Sequence, residues 1–179
     1  MKVVLDGGRF RLRTLVRADA ETVYKYAKDP AISRYTFIPR PYLKQCAYDF
    51  IRRNHIKARK GLNIVLGIEL RETGEIIGLV SLEQINKRSK NAELGYWLAK
   101  RYWGKGYMSE AVRLTVRYGF RKMKLVRIYA RVMHPNVAST RLLEKVGFTY
   151  EGRMRKMVFK NGRWMDDLRY GMLREEFKP

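Results

Sequence analysis

The run Tyr96-Trp97-Leu98-Ala99-Lys100-Arg101-Tyr102-Trp103-Gly104-Lys105-Gly106-Tyr107-Met108-Ser109-Glu110-Ala111 changes its period halfway along. From Leu94 to Ala99 the chain is dense in aromatic and apolar residues and reads as a strand. Beyond the loop, Met108, Ala111, Val112, Val116 and Phe120 fall on one face of a helix. Between the two lies a short connection that carries Arg101, Gly104 and Gly106. A strand feeding a glycine loop at a helix N-terminus makes an anion site. The first N–H groups of the helix have no backbone partner, and the helix dipole adds positive charge there. Glycine lets the backbone approach a phosphate with no Cβ in the way. The spacing Arg-x-x-Gly-x-Gly over 101–106 is neither that of a P-loop nor that of the dinucleotide fingerprint.

Working outward toward the N-terminus, Asn63 to Leu70 and Glu75 to Ile85 read as a strand pair joined at Glu72-Thr73-Gly74-Glu75. With the strand before the glycine loop they make three antiparallel strands. Residues 9–16 alternate charged and apolar side chains, as a half-buried strand does. A helix is expected from Asp19, taken as its N-cap, to Asp29-Pro30. A loop rich in aromatics and prolines follows to Tyr42, then a second helix from about Leu43 to Lys60. Toward the C-terminus, the central helix is expected to run to about Lys122. Val126 to Met133 is the next strand, parallel to the one before the loop because a helix joins them. A short helix ends at Val146 with Gly147 beyond it. Phe148 to Arg153, Lys156 to Lys160 and Arg163 to Leu173 are strand segments, with Asn161-Gly162 a hairpin turn.

The composition narrows the class. At 179 residues a single domain spanning 1–179 is expected, with 46% apolar residues, an ordinary share for a globular protein. No run approaches the roughly 18 apolar residues of a membrane span, and Met1 to Gly7 has no signal-peptide core. The single cysteine, Cys46, sits in a helical pattern and reads as a packed small residue in a reducing, cytoplasmic protein. The net charge of +22 favours polyanions, such as RNA or a phosphate-rich cofactor, or else is a solvated Lys/Arg-rich surface. The basic residues are spread out rather than gathered. That argues against a sequence-specific DNA reader and allows loose association with an RNA-rich particle such as the ribosome.

Arg101 to Gly106 resembles the acetyl-CoA pyrophosphate loop of the GNAT superfamily of N-acetyltransferases. The flanks extend the resemblance over nearly the whole chain: Ala92 to Leu98 before the loop, Asn136-x-x-Ser139, Leu143 to Phe148, Glu151-Gly152, and Asn161-Gly162-x-Trp164-x-Asp166. Together they are similar to the Rim-type branch, the ribosomal-protein N-terminal acetyltransferases and their relatives. The fold implied is α+β: a mixed, mostly antiparallel sheet, splayed at one parallel strand pair and flanked by about four helices. The activity implied is transfer of acetyl from acetyl-CoA, the cosubstrate, to an amine, with no metal. The lack of a long apolar run leads us to expect no membrane partner, and since dimers are common in the family, the final hairpin is a candidate surface for a homodimer.

Residue by residue, the resemblance implies that the backbone of Tyr102, Trp103, Gly104, Lys105 and Gly106 meets the pyrophosphate, with charge from Arg101 and Lys105. Trp97, Leu98 and Ala99 would pair with the pantetheine amides like a missing strand, and an N–H near Leu98 would hold the oxyanion. Asn136 would bond the pantetheine arm or simply cap its helix. Ser139, near the thioester sulfur, or a water would be the proton donor, unless Ser139 only bonds its own helix. The tyrosine that related enzymes carry shortly after this position falls at Leu143, which cannot donate a proton. For a base, Glu93 and Glu83 are the candidates, each of which can equally serve as a partner to the many Lys and Arg residues. Tyr35 and Phe37 are expected to wall the acceptor cleft.

The weak provision for a base bears on the acceptor. A protein α-amine has a pKa of about 7.7–8.0 and is about one-third neutral near pH 7.5, whereas a lysine amine at about 10.4 is neutral about one time in a thousand. The α-amine of a protein such as a ribosomal protein is therefore the expected acceptor. A small amine (polyamine, amino acid or antibiotic) is the alternative, and an acetyl-CoA-binding, RNA-associated protein without catalysis is the third reading.

Overall fold

The computed structural model describes residues 3–178. They form one eight-stranded sheet in the order β1-β2-β3-β4-β5-β6-β8-β7. The strands are β1 (Val4–Asp6), β2 (Phe10–Thr14), β3 (Ile64–Leu70), β4 (Ile76–Asn86), β5 (Asn91–Leu98), β6 (Arg127–Met133), β7 (Thr149–Lys160) and β8 (Arg163–Leu173). Five α-helices accompany them: α1 (Ala20–Ala27), α2 (Pro30–Ser33), α3 (Lys44–Arg59), α4 (Tyr107–Arg121) and α5 (Val137–Val146). Neighbouring strands are antiparallel except β5 and β6, which α4 joins in parallel. The α+β class and the splayed parallel pair are thus as the sequence implies.

Two apolar layers cover the sheet. Leu12, Leu66, Val80, Leu82, Leu94 and Ile128 face α4 and α5, and meet Met108, Ala111, Val112, Val116 and Phe120 of α4. On the other face Val65, Ile76, Leu79 and half-buried Trp97 meet Val23 and Ala27 of α1 and Ala47 and Ile51 of α3. Burying each such Leu, Ile, Val or Phe contributes about 1.5–3 kcal/mol.

Some local expectations change. The strand expected over 9–16 covers only Phe10–Thr14, and β1 pairs beside it, with Leu5 opposite Leu12. Asp19 does not cap α1. It ends a 3₁₀ turn instead, where its carboxylate accepts from Val16 N–H at 2.6 Å and from Arg13 Nη1 at 2.7 Å. The charge of Arg13 competes for the oxygen that a cap would use. Pro30 opens a further single turn, with Asp29 accepting from Ala31 N–H at 2.8 Å. Asn161 and Gly162 both have positive φ, at 50° and 74°, as a type I′ turn requires.

Candidate functional site

The pairing of β5 with β6 spans only Asn91 to Leu94 against Arg127 to Ala130. Beyond Ala130, Arg131 to Met133 pair with β8 alone on their other side. The two strands therefore part above Leu94, and a gap opens. Ala99 N–H bonds Ile77 O on β4 at 2.9 Å, so strand alternation turns the backbone groups of Ala99, Trp97 and Gly95 toward β4. Those of Leu98 and Tyr96 turn into the gap. The Leu98 carbonyl there accepts Trp103 Nε1 at 2.6 Å, which leaves the Leu98 N–H, together with the Tyr96 backbone groups, facing the opening. The expected pairing edge, Trp97 to Ala99, thus presents Leu98 and Tyr96 rather than its two outer members.

At the upper end of β5, Lys100–Tyr102 makes a 3₁₀ turn and the chain reaches α4 through Trp103 to Gly106. Gly104 and Gly106 have φ of 74° and 82°, a left-handed backbone that glycine adopts without strain. A Cβ at Gly104 would meet nothing within 4 Å, so the loop is open to an incoming group. An aromatic stack holds this loop from below. Tyr102 packs edge-on against Tyr107 at 5.9 Å and Tyr26 at 6.5 Å, and Tyr107 against Phe10 at 6.1 Å. The open glycine turn, the N-terminus of a 15-residue helix and the unfilled strand edge suit a ligand that carries both phosphates and amides. Acetyl-CoA is such a ligand.

The charges around the loop are arranged differently from the sequence expectation. Arg101 reaches sideways to Glu75 at 2.5 Å and lies over the rings of Tyr102 and Tyr26. Burial pushes the Glu75 carboxyl up, but hydrogen bonds from Lys25 and Tyr26 and the charges of Arg101 and Lys25 outweigh it and hold it low. Arg9 is the guanidinium at the loop itself. Its Nη2 donates to Lys105 O at 2.7 Å, and its guanidinium sits 4.0 Å above the Tyr107 ring. Nothing in the sequence pointed to Arg9, because 96 residues separate it from Lys105.

On the α5 side of the gap, Asn136 caps the helix by accepting from Ser139 N–H at 3.3 Å. Ser139 Oγ lies 2.6 Å from Tyr96 Oη. Leu143 is fully buried in the core. Tyr96 was not expected in the site, although its alternation with Leu94 and Leu98 gave its direction. Burial raises the Tyr96 phenol, against a smaller opposing effect of the Ser139 hydrogen bond, so the hydroxyl keeps its proton at neutral pH.

The opposite face carries the carboxylates. Glu83 and Glu93 lie directly across from one another on β4 and β5. Ser81 Oγ donates to Glu83 at 2.7 Å. Glu93 accepts Gln84 Nε2 at 2.7 Å and Arg131 Nε at 2.9 Å. A third acid, Asp167 of β8, is buried beside Arg169 at 3.0 Å, with no hydrogen-bond partner on Oδ2. Burial pushes its carboxyl up against the opposing charges of Arg169 and Arg131. Asp167 too was missed, since one of two adjacent aspartates on a strand gives no sign of which is buried. Phe37 is two-thirds exposed, with Arg131 and Lys160 each 5.9 Å from its ring. Tyr35 is covered by Arg34 at 5.2 Å.

Among the described residues no group of His, Cys, Asp or Glu could hold a metal ion, and no helix is long and apolar enough to cross a membrane.

Comparison with known proteins agrees with this geometry. Residues 9–149 match the acetyltransferase (GNAT) domain family. An uncharacterized N-acetyltransferase, p20 of Bacillus licheniformis, is 34% identical over 94% of this chain and 95% of its own length. The spermidine N(1)-acetyltransferase of Escherichia coli K12 is 28% identical over 93% of this chain and 87% of its own. Among solved structures, the ribosomal L7/L12 α-N-protein acetyltransferase RimL in complex with coenzyme A superposes with a TM-score of 0.90. At 19% identity, over 96% of this chain and 98% of that one, this likeness concerns the fold.

Proposed function

Because the chain belongs to the GNAT family of acetyltransferases and is an acyltransferase that uses acetyl-CoA to acetylate an amine, we propose that its acceptor is the N-terminal α-amine of a protein, such as a ribosomal protein. The observation that carries this reading is the Glu93–Arg131 ion pair at 2.9 Å on the face opposite α5. Both carboxylate oxygens of Glu93 are occupied, Oε1 by Arg131 Nε and Oε2 by Gln84 Nε2. Glu83 accepts from Ser81, while Asp167, raised by burial and with Oδ2 lacking a hydrogen-bond partner beside Arg169, is the least committed of the three acids. A site with so little free carboxylate suits an amine that is partly neutral at working pH, which an α-amine is and a lysine side chain is not. A polyamine would need free carboxylates, and the +22 charge repels it at long range.

When bound, acetyl-CoA supplies the activated acyl carbon. The chain supplies the rest. The open turn at Trp103 to Gly106 and the first N–H groups of α4 bind the pyrophosphate, with Lys105 and Arg9 adding charge. Leu98 N–H is the donor for charge that develops on the acyl oxygen. Asn136 orients the pantetheine arm from the head of α5, and Ser139 gives a proton to the departing sulfur and regains one, through solvent, from the amine nitrogen that loses its proton on acylation. Tyr35 and Phe37 wall the acceptor entrance. The basic surface supports loose association with an RNA-rich particle, which would bring the enzyme to its protein substrate in the cytoplasm. The final hairpin is the surface proposed for a homodimer.

The spermidine-acetylating relative favours a second reading, a polyamine or other small amine as acceptor. Coenzyme A release from acetyl-CoA, measured beside peptides beginning with Ala, Ser or Met, spermidine and free lysine, separates the two. Turnover with the peptides alone is expected. Turnover with spermidine alone overturns the α-amine reading and leaves the cosubstrate unchanged.

A further inference from the structure

Three helical hydroxyls bond back to their own helices. Ser33 Oγ donates to Pro30 O at 3.2 Å, Thr115 Oγ1 to Ala111 O at 2.8 Å and Thr140 Oγ1 to Val137 O at 2.9 Å. This is the ordinary resting place of a hydroxyl on a helix. Ser139, in the first turn of α5, does otherwise. Its Oγ meets Tyr96 Oη across the gap at 2.6 Å, from a different element 43 residues away. Leu143, one turn further along α5, is wholly buried and offers no hydroxyl to this region.

We propose that Tyr96 is the positioning residue for Ser139: its hydroxyl donates to Ser139 Oγ, and so turns the serine's own proton away from α5 and into the gap between β5 and β6. The proposal rests on the reading of Ser139 as the donor to the departing sulfur. At 2.6 Å either oxygen can donate, and the Tyr96 hydroxyl also lies 3.5 Å from the Ser139 carbonyl. The shorter contact and the greater acidity of a phenol than of an aliphatic alcohol assign the donation to Tyr96, with Ser139 Oγ as its acceptor. Burial keeps the Tyr96 proton in place over the working range. With its lone pairs engaged by Tyr96, Ser139 is held where its O–H can reach a sulfur in the gap. Without the phenol, the serine is free to adopt the back-bonded state of Thr140, two states whose balance a single hydrogen bond decides.

Tyr96→Phe keeps the ring and removes only the hydroxyl. It is expected to lower kcat about tenfold with an alanine-initial peptide, at unchanged KM for acetyl-CoA and with Tm lowered by only the few degrees that one lost hydrogen bond costs. Ser139→Ala should lower kcat by at least as much, and the double variant no further than Ser139→Ala alone, because both act through one proton. A second readout needs no acceptor. The thiol of bound coenzyme A is titrated by its ultraviolet thiolate absorbance, as a difference against the same protein carrying acetyl-CoA. A hydrogen bond to the thiolate lowers the thiol pKa, so Tyr96→Phe and Ser139→Ala should raise it by the same amount, about one unit, or tenfold in the thiolate ratio. Equal shifts with no turnover of any peptide keep the Tyr96 proposal and reject the α-amine acceptor. A Tyr96→Phe protein that titrates as wild type, or a double variant whose losses multiply, overturns it. So does a silent Ser139→Ala, which also removes Ser139 from the proposed function.

Discussion

Arg9 Nη2 donates to the carbonyl of Lys105 at 2.7 Å, tying the residue that precedes β2 to the loop that precedes α4. The guanidinium lies over Tyr107 at 4.0 Å and within 3.8 Å of Glu110, so three contacts fix it beside the glycine turn. Held there, it is placed to lend both charge and rigidity to the proposed phosphate cradle. Arg9→Ala should raise the Kd for coenzyme A roughly tenfold, as loss of one charged contact of about 1.5 kcal/mol does. Calorimetric titration with coenzyme A reads this directly, and an unchanged Kd would remove Arg9 from the cradle.

Gly78 stands opposite Leu98 in the β4–β5 ladder. A Cβ there would come within 2.5 Å of Trp97 O and 3.0 Å of Leu98 Cα. Those are backbone atoms, which cannot swing aside. Gly78→Ala should therefore push β5 from β4, cost about 2 kcal/mol of stability, and misplace the Leu98 N–H. Gly104→Ala meets no atom and carries only the strain of a left-handed residue, about 1 kcal/mol. Urea unfolding of the two variants tests the order, and equal losses would contradict it.

Glu69 is buried between Arg11 and Arg13, and Arg13 continues to Asp19. Burial alone would raise the Glu69 carboxyl, but the hydrogen bonds from Arg11 and Arg13, with their charges, outweigh it and leave it lowered. A lowered folded pKa contributes stability that is full above the unfolded value of about 4.5 and is lost as pH falls through the folded value. Glu69→Gln should cost roughly 3 kcal/mol at neutral pH and flatten the acid limb of the stability curve. Unfolding measured from pH 7 down to pH 3 checks both, and an unaltered acid limb would show that other carboxylates govern it.

Phe37 is exposed and flanked by Arg131 and Lys160, whose ammonium also donates to Thr36 O. As a wall of the acceptor entrance it should affect the peptide and not the cosubstrate. Phe37→Ala is expected to raise the peptide KM several-fold and leave the KM for acetyl-CoA alone. A rise in both, or in neither, speaks against this placement.

The order of elements was legible because the period of the apolar residues switches clearly between strand and helix, as at Leu98 and Met108. The Asn161-Gly162 turn and the Gly147 helix end were equally plain. What escaped was decided by distant partners. Val4 to Asp6 is too short to show alternation and becomes a strand only because β2 offers it an edge. Asp19 has the right chemistry for a cap, but Arg13 takes its oxygens. In the site, the glycine loop announced itself locally. The direction of the Leu98 backbone, the use of Arg101 on Glu75 and the meeting of Tyr96 with Ser139 each depend on which strand lies beside which, and no local pattern encodes that.

The sheet is continuous in the order of its strands, yet its two parts, β1 to β5 and β6 to β7, share only the short ladder of four residue pairs at Asn91–Leu94. Mechanically this is a book bound along the lower half of its spine. A ligand that filled the upper half would complete the binding, its amides taking the place of the absent rungs. Amide exchange in Arg131 to Met133 and Tyr96 to Leu98 should then slow together when coenzyme A is added, although the two segments belong to different leaves. The opening proposed for the cosubstrate is thus also a line of few rungs, and occupancy is expected to stiffen it.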